Sequence, residues 1–113
     1  MDYKQQLDEL RSKTVLLPET FEKYGLDVEA VGFSEIEKNS FTILVEVVAK
    51  TTSGLMDDIE IKANAYDESG QIITSEDVLV YADDFDGINT YSIYITEDGI
   101  LDRVQKIRLY ATR

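Results

Sequence analysis

The chain has 113 residues and 12.8 kDa, 43% hydrophobic and 30% charged, which suits one globular domain with one core. It has no cysteine and no histidine, which removes disulfides, thiol nucleophiles, the commonest general base and the commonest zinc ligand. Twenty-three acids against 11 bases leave a net charge of −12. That field repels nucleic-acid phosphates and anionic lipid, and favours basic protein partners or divalent cations.

The acid excess is concentrated. Residues 51–102 hold thirteen acids and one base, Lys62, whereas the remainder holds ten of each. The N-terminus is charged from Asp2, and aliphatic runs such as Val15–Leu17 and Ile43–Val45 stop at three residues. A secretory signal needs an apolar stretch of about 7–15 residues and a membrane helix about 20. With Met1 read as a start, the expectation is a cytoplasmic protein that contacts no membrane.

In chain order, residues 2–13 predict a short helix. Tyr3, Leu7 and Leu10 share one face, and Asp2 with Gln5 has capping-box spacing. Pro18 excludes Leu17 from the helix, and a second helical turn is expected over 18–24 with Gly25 as its stop. Residues 1–25 thus form a helical segment packed on the domain.

From residue 26 to 113 the period changes to two. Six runs show it: 28–36, 40–50, 58–66, 71–81 (with a break at Ser75–Asp77), 89–96 and 103–112. Turn chemistry separates them, including Lys38-Asn39, Thr52-Ser53-Gly54, Asp67–Gly70, Asp83–Gly87 and Glu97–Gly99. The fold class this predicts is all-β, an antiparallel β-sandwich of six to seven strands with a short N-terminal helix. Inward rows are Phe41, Ile43, Val45, Val47 and Ala49; Ile59, Ile61, Ala63 and Ala65; Tyr91, Ile93 and Ile95; and Ile107, Leu109 and Ala111. Leu44 and Val48 fall on the opposite face, and the N-terminal helix is expected to cover them.

The stretch Ile59–Ile72, with Tyr66-Asp67 and Gly70 at its turn, resembles the strand–turn–strand of the bacterial FxLYD family. The family's Phe and Leu fall here on Ala63 and Ala65. Strand 41–50 and Gly87–Ile93 fit the same frame, so the resemblance covers about residues 28–112. It implies an immunoglobulin-like sandwich with an accessory binding role and no catalytic residues. Members of that family are often exported or lipid-anchored, and this chain shows no export signal.

Asp83, Asp84 and Asp86 form the densest acidic group. They fail EF-hand spacing, because Gly87 as the sixth position would put Ala82 first and Ile93 twelfth. A sandwich-type calcium site would need them to meet Asp57, Asp58, Glu97 or Asp98. No other cofactor is expected. Paired carboxylates could do acid–base work only in a cleft with positioning groups, which a small sandwich without tryptophan or histidine lacks, so no enzyme is expected. Asp83, Asp84, Phe85, Asp86 and Tyr94 are the candidate contacts for another, basic protein. Lys106 and Arg108 are expected to pair with acids of neighbouring strands. The leading expectation is a non-enzymatic interaction module acting through an acidic face or a free edge strand. The alternatives are a calcium-binding domain and a structural homo-oligomeric subunit.

Overall fold

A computed structural model describes residues 2–50 and 54–113. The element order is α1 (Tyr3–Lys13), β1 (Thr14–Leu16), α2 (Pro18–Glu22), β2 (Leu26–Glu37), β3 (Ser40–Ala49), β4 (Ile59–Tyr66), β5 (Ile72–Val80), a 3-10 turn (Ala82–Asp84), β6 (Ile88–Thr96), α3 (Ile100–Arg103) and β7 (Lys106–Thr112). Two sheets form, ordered β1-β7-β4-β5 and β2-β3-β6. All ladders are antiparallel except β1 on β7. The all-β sandwich with a short N-terminal helix is therefore the architecture. The Thr52-Ser53 part of one expected turn lies outside the described residues.

Period two explains the sheets. β4 alternates strictly between buried and half-buried, with Ile59, Ile61, Ala63 and Ala65 inward. Phe41, Ile43, Val45 and Val47 of β3, Ile93 and Ile95 of β6, and Ile107, Leu109 and Ala111 of β7 complete the same core. Each fully buried Ile or Leu is worth about 1.5–3 kcal/mol against exposure. Phe33 and Phe41 pack at a tilt with their ring centroids 6.2 Å apart.

The β4–β5 hairpin turns as its residues dictate. Gly70 takes φ +85, and Asp67 accepts from Ser69 N (2.9 Å), Ser69 Oγ (2.7 Å) and Gln71 N (3.0 Å). The Ser69 hydroxyl bond leads in holding the Asp67 carboxyl below its ordinary value. β5 runs unbroken through Ser75–Asp77, contrary to the expected break. Ser75, Glu76 and Asp77 stand opposite Asn64, Ala63 and Lys62, so edge exposure rather than a turn accounts for their polarity.

Three other expectations are corrected. The last strand begins at Lys106, not 103, because Gly99 in the left-handed region starts the helical turn α3. Its Ile100 and Val104, four apart, are both fully buried and close one end of the core. The N-terminal segment is more than helical: Thr14–Leu16 pairs in parallel with Ile107–Leu109 and finishes the edge of β7. Leu17 N continues that pairing to Leu109 O at 3.0 Å, and the Thr20 hydroxyl takes Ala111 N–H at 3.0 Å.

The third correction concerns α1. Its capping box forms as expected, with Gln5 N donating to Asp2 Oδ1 at 2.8 Å and Asp2 N to Gln5 Oε1 at 3.2 Å. The helix packs against β2, though, and not over Leu44 and Val48. Leu44 lies beside Gly32 in a shallow open groove with Ala30, Val31, Glu46 and Thr90. The short strand after α1 draws the helix to the sandwich margin, where Leu10 (1% exposed) enters the core and Tyr3 (55%) stays in solvent.

This docking gives a direct expectation. Leu10→Ala lowers unfolding free energy by about 2–4 kcal/mol in denaturant melts. Tyr3→Ala changes it by less than about 0.5 kcal/mol. Equal effects of the two would contradict the placement of α1.

Candidate functional site

The acidic connection leaves β5 at Val80, makes one 3-10 turn and enters β6 at Ile88. Asp84 N bonds Tyr81 O at 3.1 Å, Asp86 N bonds the Asn89 side chain at 3.3 Å, and Gly87 takes φ +98. Asp83, Asp84 and Asp86 are exposed, while Phe85 is half-buried and packs against the core.

The neighbouring acids do not join them. Asp58 Oδ1 accepts Ala82 N–H at 2.8 Å and so braces the 3-10 turn, and Asp57 pairs with Arg113 at 3.1 Å. Glu97 and Asp98 lie past the other end of β6, where Glu97 N bonds Asn39 O at 3.0 Å. Among the described residues no three acids gather into a group that could hold a metal ion. Glu97 and Asp98 are kept from the expected calcium set by the length of β6, while Asp57 and Asp58 are held by Arg113 and Ala82.

The aromatic residues are also redistributed. Tyr81 opens the acidic connection and is exposed, and Tyr91, half-buried on β6, lies near Asp84 and Asp86. Tyr94 lies farther along β6, opposite Thr42, on the outer face and 64% exposed. At about 3.4 Å per residue, Tyr94 lies roughly 20 Å beyond Ile88. Asp83, Asp84, Phe85 and Asp86 therefore form one end of a line, and Tyr94 stands near the other end.

That line is β6 itself. Ile88–Thr96 contains no charge and no proline. It pairs with β3 in unbroken register from Ile88↔Val48 to Thr96↔Ser40, without a bulge. Among the described residues its other edge carries no ladder, although β5 approaches it. On the outer face Ile88 is 59% exposed.

The other edges differ. β2 carries Asp27, Glu29, Glu35 and Glu37, has two register shifts, and is flanked by α1 and α2. At one shift Glu35 adopts φ 51, and its carboxylate accepts the hydroxyl of buried Thr42 at 3.1 Å. β5 carries Glu76 on an inward-facing position opposite Ala63, and its ladder shifts register near Tyr66. β1 has three residues. Charges, bulges, inward-pointing charge and shortness are the devices that stop strands from pairing with strangers. β6 has none of them. Sequence reading weighed an edge without choosing one, because which strands are edges depends on sheet order.

The outer face of the larger sheet holds a second polar group. Ser75 Oγ donates to Asn64 Oδ1 at 2.6 Å, and Asn64 Nδ2 donates to the hydroxyls of Tyr66 and Tyr110, both at 3.3 Å. The Arg108 guanidinium lies 5.3 Å from the Tyr66 ring centre. Among the described residues neither Lys106 nor Arg108 reaches a carboxylate, which corrects the expected ion pairs. Their cross-strand neighbours are Tyr66 and Asn64, and Lys62 pairs instead with Glu60 of its own strand at 3.5 Å. No described helix is long and apolar enough to cross a membrane.

No family model and no curated protein matches the chain. Among solved structures it is similar to a putative beta-galactosidase from Bacteroides fragilis, at 12% identity and a TM-score of 0.43. The match covers 77% of this chain and 15% of that one, so this chain spans a small part of that protein's length.

The Tyr91 phenol tests the geometry of the acidic end. Burial is the main cause that raises its pKa above 10.0; the Asn89 hydrogen bond opposes this, and Asp84 and Asp86 add to it. A raised folded-state value means that the stability it contributes is intact below the ordinary tyrosine range. That stability is lost as pH rises through the folded value. In an Asp84→Asn, Asp86→Asn double variant, tyrosinate absorbance is expected to show Tyr91 titrating at lower pH than in the parent. An unchanged titration would place the two acids away from the ring.

Proposed function

We propose that this domain is a non-enzymatic interaction module that takes up an extended segment of another protein along β6. The observation that carries the reading is the contrast among edges: β6, a nine-residue edge strand, holds no charge and no bulge and, among the described residues, makes no ladder on the side away from β3, although β5 packs near it. Strand addition to such an edge gains affinity from main-chain hydrogen bonds and specificity from alternate side chains.

The strand order supports the same reading. β2-β3-β6 and β5-β4-β7 follow the A-B-E and C′-C-F arrangement of immunoglobulin-type sandwiches, with β1 where a seventh strand would lie beside β7. An accessory binding role is also what the FxLYD resemblance implies.

The test is selection of a random displayed peptide library, with segments of about a dozen residues, against the folded domain. Enriched peptides are expected to slow amide exchange in 88–96 and to bind at least about tenfold more weakly to Tyr94→Lys, which places a charge on the outer row of β6. Enriched peptides that protect another strand, and whose affinity Tyr94→Lys leaves unchanged, would contradict the reading.

A further inference from the structure

The charge around β6 specifies the chemistry of what it accepts. The strand is uncharged for nine residues, a span of about 30 Å. Asp83, Asp84 and Asp86 precede it, and Glu97 and Asp98 follow it. Asp83, Asp84, Asp86 and Asp98 are exposed, and none of the five is within ion-pair distance of a base among the described residues. An added strand therefore meets a neutral ladder in the middle and acids at both ends, with Arg103, whose Nη1 donates to Asp98 O at 3.1 Å, beside the far pair. Ile88 and Tyr94, the large exposed apolar side chains of the outer row, stand six residues apart.

A second copy is the wrong occupant. Two β6 strands paired antiparallel would set Asp83–Asp86 of one copy against Glu97 and Asp98 of the other, at both ends of the ladder. Like charges so placed are destabilising, and the whole chains each carry −12. The end charges thus guard the strand against itself while leaving it open to a partner of opposite sign.

We infer that the partner segment is an uncharged, β-forming stretch of about nine residues with Lys or Arg at both ends, lying along β6. This rests on the strand-addition reading above and adds the chemistry of its ligand. The basic residues bracket the segment because the acids bracket the strand. Apolar side chains six residues apart on one face of the segment would cover Ile88 and Tyr94.

Four synthetic peptides test this. They share an alternating threonine–valine core and differ in charge: lysines at both ends, glutamates at both ends, no charge, or the same number of lysines at the centre. Affinity is read by calorimetry at low and high salt, and the contact by amide exchange over 88–96. The end-lysine peptide is expected to bind at least about tenfold tighter than the end-glutamate peptide at low salt, with the centre-lysine peptide weaker than the end-lysine one. The gap should shrink as ionic strength rises. In an Asp84→Asn, Asp86→Asn, Glu97→Gln, Asp98→Asn variant the preference is expected to vanish while β6 protection remains. If all four peptides protect β6 with equal affinity, or the centre-lysine peptide matches the end-lysine one, the charged-end chemistry is wrong and strand addition stands. If none protects β6, both fall.

Discussion

A sheet that is not closed into a barrel has edges, and each edge presents a row of backbone N–H and C=O groups without a partner. This constraint organises the structure. The core is formed by alternating inward rows, but burying those rows says nothing about the four margins of the two sheets. The chain deals with the margins one at a time. A three-residue parallel strand, carried in by the N-terminal segment, finishes β7, and the Thr20 hydroxyl extends the cover to Ala111. Bulges, acids and two helices occupy β2. An inward-facing glutamate marks β5. β6 is left plain.

Charge explains how a plain edge can persist. The net −12 comes largely from the middle of the chain, and its densest group sits at the entry to β6. These acids do not meet to form a metal site, because Asp57 and Asp58 are engaged by Arg113 and Ala82, and Glu97 and Asp98 are a strand's length away. Under the strand-addition proposal, their place at both ends of an uncharged strand would oppose pairing between copies and favour a partner with basic ends.

Much of this was legible in the sequence, and what was not has identifiable causes. The inward rows of β3, β4, β6 and β7 were readable because period two is a local signal. So were the capping box at Asp2 and the Asp67–Gly70 turn. β1 was not, since three residues carry no period, and Val15–Leu17 looks only like the end of a helical segment before a proline. α3 was not read because it falls between the expected turn at Glu97–Gly99 and the expected strand at 103–112, and four residues carry no period. The pairing partners of Lys106 and Arg108 depended on β4 lying beside β7, which is a fact of topology. The candidate contacts Asp83, Asp84, Phe85, Asp86 and Tyr94 were read as one patch. The structure sets the first four just before β6 and Tyr94 near its far end, and the site proposed to join them is an edge of backbone, to which side-chain reading is blind.

The central claim is that one edge of β6 is open. Amide hydrogen exchange of the unliganded domain, resolved residue by residue over 88–96, tests it most directly. In an antiparallel edge strand alternate N–H groups face the neighbouring strand and the outside. The account predicts protection that alternates along β6, slow where the amide bonds β3 and fast where it faces outward. Uniform slow exchange across the strand would contradict it, since that would mean that another part of the chain already covers the edge.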